Sequence, residues 1–342
     1  MTKETGYKSI LTIDGGGIRG LIPARILEEI EKRTKKPTYE LFDLIVGTST
    51  GGILATCLAR PENGKVGGPC SANELVHLYF ERGREIFNRS LWKGVTSLGG
   101  LSDEKYDAGP LEGILDEMLG SAELKDTLPD IILTSYDIER REPYLFKTSK
   151  ARDGEAGRNH LLRHVARATS AAPTFFEAFL LDQMQWVGEK HNRRALVDGG
   201  VYANNPSMIG LSEALSSGTH VNDLLLCAIG TGMNDRKIPF EDAKDWGPLG
   251  WARPVISVMM DGMSDSADYH ARQLLPNSDD HSREQRYFRF DIRLKDALDD
   301  LDAAHRANVV ALLHEAEKII DNQADELDLL TKILVNRAKV EG

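Results

Sequence analysis

A chain of 342 residues, 41% hydrophobic and 28% charged, has globular proportions and enough length to bury a sizeable core, which excludes a disordered or fibrous chain. Its 42 Lys and Arg against 53 Asp and Glu leave a net charge of -11, the wrong sign for following nucleic-acid phosphates, so no nucleic-acid polymer is expected as partner. Three cysteines without a C-x-x-C pair suggest neither a disulfide framework nor a zinc site, and no apolar run approaches the length of a spanning helix.

Met1 to Lys8 is polar and lacks the apolar stretch of a secretory leader, which sets the expectation of a cytoplasmic protein whose contact with a membrane is peripheral. Ser9 to Ile13 is a short β-rich run ending in Asp14-Gly15-Gly16-Gly17-Ile18-Arg19-Gly20, and Leu21 to Arg33 carries helical periodicity. The same unit of strand, glycine turn and helix recurs: Leu41 to Val46, then Gly47-Thr48-Ser49-Thr50-Gly51-Gly52, then Ile53 to Ala59. Ser71-Ala72-Asn73-Glu74 has the spacing of a capping box and opens a helix to about Phe87. Gly94 to Gly109, with Leu91, Trp92 and Leu98 nearby, is glycine-rich and aperiodic and suits a flap; Pro110 to Leu119 is a helix behind it.

Asp130 to Tyr136 and Pro143 to Lys147 read as paired strands, and His160 to Ala171 as a helix stopped before Pro173. Ala195 to Val197 is a strand ending at Asp198-Gly199-Gly200, Pro206 to Leu215 a helix, and the wholly apolar Leu224 to Ile229 a central strand. Trp251 to Leu275 is helical, Gln285 to Ile292 a late strand, and Ala304 to Val340 a long amphipathic helix or pair. Its apolar stripe (Val309, Leu312, Ile319, Leu327, Leu330) fits packing on the body more simply than a partner. Strands alternating with helices predict an α/β layered fold on a largely parallel sheet, with no visible linker dividing residues 1–342.

Three loops carry chemistry. Gly47-Thr48-Ser49-Thr50-Gly51 fits G-x-S-x-G, a nucleophile elbow in which Gly47 and Gly51 let a strand turn sharply into a helix beneath Ser49, although a plain capping serine gives the same pattern. Gly15, Gly16 and Gly17 can turn several N–H groups to one point, as an oxyanion hole requires. Arg19 beside them suits an oxyanion, a lipid phosphate or a nearby carboxylate. The same glycines satisfy G-x-G-x-x-G and could hold a nucleotide, yet the second strand ends at Gly47-Thr48-Ser49 where a ribose-binding acid is expected. Asp198-Gly199-Gly200 follows a third strand, which places Asp198 at the same carboxyl edge; an aspartate turn is the plainer alternative.

Together, Asp-Gly-Gly-Gly-x-x-Gly, Gly-x-Ser-x-Gly, Arg167-Ala168-Thr169-Ser170-Ala171-Ala172-Pro173 and Asp198-Gly199-Gly200, in that order, resemble the patatin-like phospholipases. The resemblance runs from Ser9 to Ile229 as a motif core, leaving 230–342 as a less distinctive helical and strand region of one catalytic domain. It implies a three-layer fold, Ser49 as nucleophile and Asp198 as proton acceptor without histidine, and Gly15 to Gly17 as the oxyanion hole. It also implies hydrolysis of phospholipid or other acyl-lipid esters at a membrane surface, with no metal or cofactor. Some bacterial members of that family answer to cyclic oligonucleotides, which makes a cyclic dinucleotide a candidate activator here. Two alternatives stand beside it: an α/β-hydrolase triad completed by His220, His270, His281, His305 or His314, and a nucleotide-binding module using Gly15 to Gly20.

Overall fold

The structure is a computed structural model and describes residues 7–62, 67–86, 106–187, 190–251, 254–276 and 285–338. Most of the expected flap, with Leu91, Trp92 and Leu98, lies outside these residues, as does His281. Eight strands form one sheet: β1 (Lys8–Ile13), β2 (Leu44–Gly47), β3 (Asp130–Asp137), β4 (Glu142–Lys147), β5 (Phe179–Val187), β6 (Lys190–Asp198), β7 (Leu224–Ile229) and β8 (Tyr287–Phe290). The path is β5-β6-β3-β2-β1-β7-β8, with β4 pairing β3. From β3 to β8 every neighbour is parallel, whereas β4, β6 and β5 are antiparallel additions.

Every residue of β7 is buried, as its unbroken apolar run requires when helices cover both faces. The first face, with Leu11, Ile13, Ile45, Leu133 and Phe288, packs under α1 (Leu21–Thr34), α2 (Thr50–Leu58), α3 (Ala72–Ile86), α4 (Gly109–Leu119) and α5 (Leu162–Thr169). The second, with Ile10, Val46, Ile132 and Leu226, packs under α6 (Ser207–Ser216) and α7 (Pro254–Leu274). Two apolar cores separated by the sheet make the three layers expected from the alternation of strands and helices.

Ser71 and Glu74 cap α3 reciprocally: the Ser71 N–H donates to Glu74 Oε2 at 2.8 Å and the Glu74 N–H to Ser71 Oγ at 3.3 Å. Other expectations shift. Thr38–Leu41 is a helical turn, so β2 begins at Leu44. β6 starts at Lys190 and its partner β5 was not anticipated, because the hairpin carries polar residues that interrupt an apolar pattern. Cys57 and Cys70, distant in sequence, meet as free buried thiols beside a 2.9 Å bond from the Cys70 N–H to the Cys57 carbonyl. Among the described residues no helix is long and apolar enough to cross a membrane.

Of the long C-terminal helix or pair expected, the structure has the pair, α8 (Arg306–Asn322) and α9 (Ala324–Ala338), both packed on α1. Their stripe is buried from Val309 to Leu334, and ion pairs Arg25–Glu317 and Arg33–Asp328, each at 2.8 Å, flank it. Leu312 is fully buried, so Leu312→Ala is expected to lower the unfolding free energy by about 2–5 kcal/mol in urea titration. A loss under about 0.5 kcal/mol, the size of a surface substitution, would show that the stripe faces outward instead.

Candidate active site

β2 ends at Gly47 and α2 begins at Thr50, which leaves Ser49 to turn the chain with φ 55° and ψ -123°. A non-glycine residue at positive φ costs of order 1–3 kcal/mol and persists only where its surroundings hold it. Here the Ser49 N–H donates to Thr169 Oγ1 at 3.0 Å, and the Ser49 carbonyl accepts from the N–H groups of Gly52 (2.9 Å) and Ile53 (3.1 Å). Gly47 must lack a side chain, because a Cβ there would lie 2.5 Å from the Gly51 carbonyl carbon and 2.6 Å from the Gly52 nitrogen. The turn thereby sets Ser49 at the N-terminus of α2, where the helix dipole favours negative charge.

Asp198 reaches Ser49 by a different route from the one expected. β6 runs antiparallel to β3, so Asp198 does not leave the carboxyl edge alongside the glycine loops. It arrives from the opposite direction. β4 pairs with β3 along Ile132 to Asp137, which puts β2 (on 130–133) and β6 (on 135–137) together on the other edge of β3, their carboxyl ends facing each other. The Asp198 N–H donates to the Ala171 carbonyl at 3.0 Å, and Asp198 Oδ1 accepts from the Gly200 N–H at 2.7 Å. The segment 169–171 therefore braces both residues, Ser49 through Thr169 and Asp198 through Ala171.

Asp198 is 4% exposed, and desolvation pushes its carboxyl pKa up to about 6 against smaller opposing effects from the Ser49 hydroxyl and the Gly200 N–H. No cation and no histidine is among the groups that act on it. His220 and His305 each accept an N–H at 3.2 Å at the start of a helical turn, and His270 and His314 are exposed. Gly199 packs against Thr134, leaving no room for a Cβ in the turn that follows Asp198.

The glycine loop divides. The Gly15 N–H is occupied by the Asn204 carbonyl at 3.0 Å, which removes it from the expected oxyanion donors. Among the described residues no acceptor takes the N–H of Gly16 or Gly17. Thr231 Oγ1 donates to the Gly15 carbonyl at 2.7 Å, fixing the peptide plane that carries the Gly16 N–H. The Arg19 N–H (3.1 Å) and Nε (3.3 Å) donate to the Gly16 carbonyl, fixing the plane that carries the Gly17 N–H. Gly17 sits at φ 58°, with the Leu301 backbone where a Cβ would go. The Ile18 N–H is closed by the Leu301 carbonyl at 2.9 Å, which fills the position a nucleotide phosphate would need.

Arg19 is buried and donates from Nη1 to the Gly232 carbonyl at 2.8 Å, and among the described residues it forms no ion pair with a carboxylate, so these bonds make it a brace of the glycine loop. Asp14 is held by Arg289 through bonds of 3.1 and 2.6 Å, and Arg289 also binds Asp291 at 2.6 Å. Thr169 lies in the Arg167 to Pro173 motif without a role of its own there, and Thr231, Asn204 and Arg289 have none in the sequence. The Gly230-Thr231-Gly232 turn, a third glycine turn at the end of a parallel strand, was the one available signal. Ser49 and Gly17 share a pocket walled by apolar Ile53, Leu111, Phe175 and Phe176.

Residues 11–210 match the family model described as patatin-like phospholipase. Over 356 aligned residues the chain is 31% identical to Patatin-like protein 2 of Oryza sativa subsp. indica, covering 94% of this chain and 86% of that one. It is 30% identical to Patatin group J-1 of Solanum tuberosum, covering 98% and 91%, and 28% identical to Probable inactive patatin-3-Kuras 1 of the same plant, covering 98% and 94%.

The raised pKa of Asp198 has a sign that stability measurements can check. Between the ordinary value of 3.8 and about 6 the folded state holds a proton that the unfolded state releases, so stability is fully present below pH 3.8 and is lost as pH rises through 6. The shift corresponds to roughly 3 kcal/mol of stability. Asp198→Asn keeps the acceptor for Gly200 and escapes this loss, so its Tm is expected to exceed that of the parent at pH 8 and to match it near pH 4. A variant that melts below the parent at pH 8 would show that the carboxylate stabilises the fold.

Proposed function

The chain belongs to the patatin-like phospholipase family and is a lipid acyl hydrolase, and we propose that Ser49 and Asp198 form its entire catalytic pair. The observation that carries this reading is a buried carboxylate on which, among the described residues, no cation acts, and whose pKa the Ser49 hydroxyl at the N-terminus of α2 lowers. Likeness to the relative named Probable inactive patatin-3-Kuras 1 is nearly as close as to the others, so the presence of Ser49 and Asp198 together, more than overall similarity, supports activity in this chain.

In the proposed cycle an acyl lipid places its chain along Ile53, Leu111, Phe175 and Phe176, with its ester carbonyl at Ser49. Asp198 accepts the hydroxyl proton as Ser49 Oγ attacks, and the N–H groups of Gly16 and Gly17 receive the oxyanion. The proton passes to the leaving alcohol and an acyl-enzyme remains; Asp198 then takes a proton from the attacking water and delivers it to Ser49 Oγ as the bond to the acyl carbon breaks and the fatty acid leaves. An aspartate of ordinary pKa is a weak base; desolvation strengthens Asp198 toward the working pH. Transient contact with a membrane surface belongs to the same proposal, because the substrate resides there. A cyclic dinucleotide activator rests only on resemblance to bacterial effectors; higher vesicle-lipid turnover on adding one would support it, and unchanged turnover would remove it.

Ser49→Ala and Asp198→Asn are each expected to lower ester turnover by about three orders of magnitude, with the double variant no worse. On a soluble ester, kcat/KM should fall as pH drops through about 6, because Asp198 is then protonated. His305→Ala and His314→Ala should retain most activity, as should the parent in EDTA. A folded histidine variant as inactive as Ser49→Ala would replace the pair with a triad.

A further inference from the structure

Four residues that line the pocket at Ser49 carry hydroxyls. Those of Thr50 and Tyr79 bond to each other, and that of Ser49 acts on the Asp198 carboxyl. The fourth, on Ser170, has no hydrogen-bond partner among the described residues although Ser170 is only 6% exposed. A buried hydroxyl left unpaired is unfavourable, and such groups recur at sites where a ligand supplies the missing partner. The backbone of Ser170 is fully used, its N–H donating to the Ala166 carbonyl at 3.2 Å and its carbonyl accepting from the Ala172 N–H at 2.9 Å. Only the side chain is left over.

Its place in the chain says which ligand atom is near. Thr169 holds the backbone of Ser49 and Ala171 holds the backbone of Asp198, at 3.0 Å each. Ser170 lies between these two anchors, and the oxyanion donors Gly16 and Gly17 come from a separate loop. We propose that Ser170 is a substrate-contacting residue whose hydroxyl donates a hydrogen bond to the alkoxy oxygen of the ester during acylation, and to the attacking water, which takes the same place, during deacylation. This rests on the Ser49–Asp198 reading. In acylation the bond from Ser49 Oγ to the carbonyl carbon forms, the bond to the alkoxy oxygen breaks, and the proton taken by Asp198 moves to that oxygen. Ser170 keeps its own proton. Its donated bond stabilises the charge that builds on a departing alkoxide, which matters for a glyceryl leaving group and little for a nitrophenolate.

The test compares the parent with Ser170→Ala on two octanoyl esters, glyceryl and p-nitrophenyl, with kcat/KM reporting acylation and thermal melting reporting the fold. The variant removes no protein hydrogen bond, so its Tm should equal or exceed that of the parent. Its kcat/KM for the glyceryl ester should drop roughly 10- to 100-fold, the scale of a lost hydrogen bond to a charged group, while that for the p-nitrophenyl ester stays within about threefold. Equal losses on both esters, or no loss on either, would overturn the proposal, and a lowered Tm with equal losses would assign Ser170 a packing role. These outcomes are distinct from failure of the catalytic pair: a Ser49→Ala variant that still hydrolyses either ester at the parent rate would remove that reading and this one with it.

Discussion

Two strands cannot occupy the same stretch of strand edge, and β3 lends one edge first to β2 and then, two residues on, to β6 running the other way. That succession puts the end of β2 and the end of β6 face to face. A nucleophile turning out of the first and a carboxylate at the last residue of the second then need no long side chain to meet. In a uniformly parallel sheet the two residues would emerge side by side, separated by at least the spacing between strands.

Such a meeting point is costly to hold. Ser49 carries backbone strain and Asp198 is a carboxyl taken out of water without a counter-charge. Both are pinned by the single turn at 169–171, so a few residues between α5 and β5 stabilise two unfavourable conformations at once. The glycine loop at 15–17 is held by another method. Its donors are oriented from behind, through the carbonyls of their own peptide units, by Thr231 and Arg19. Rigid peptide planes make this possible, because a carbonyl fixed on one side directs the N–H on the other.

Much of this was legible in the sequence, and what was missed has a common cause. Glycine turns after apolar runs marked the loops around Ser49, Gly16 and Asp198, since a residue without a side chain leaves a local signature. Strand direction leaves none, so β6 was expected parallel. β5 was absent from the reading because its polar residues break the apolar pattern. Hydrogen bonds between distant segments are equally silent: nothing near Gly15 reveals that Asn204 occupies its N–H, and nothing near Arg19 shows that it faces two carbonyls. The amphipathic stripe of α8 and α9 was visible, while the break at Gln323, whose side-chain amide donates to the Arg289 carbonyl at 2.9 Å, depends on a tertiary partner.

The bond between Asp14 and Arg289 spans 275 residues and joins the first glycine loop to the last strand. A fragment ending at Ile229 would contain every motif residue and still bury an aspartate stripped of its cation beside the oxyanion loop, with the edge of β7 left open. The C-terminal third, which carries no motif, is therefore an electrostatic keystone for the N-terminal third. Proteolytic release of it would disturb that loop before it touched Ser49 or Asp198.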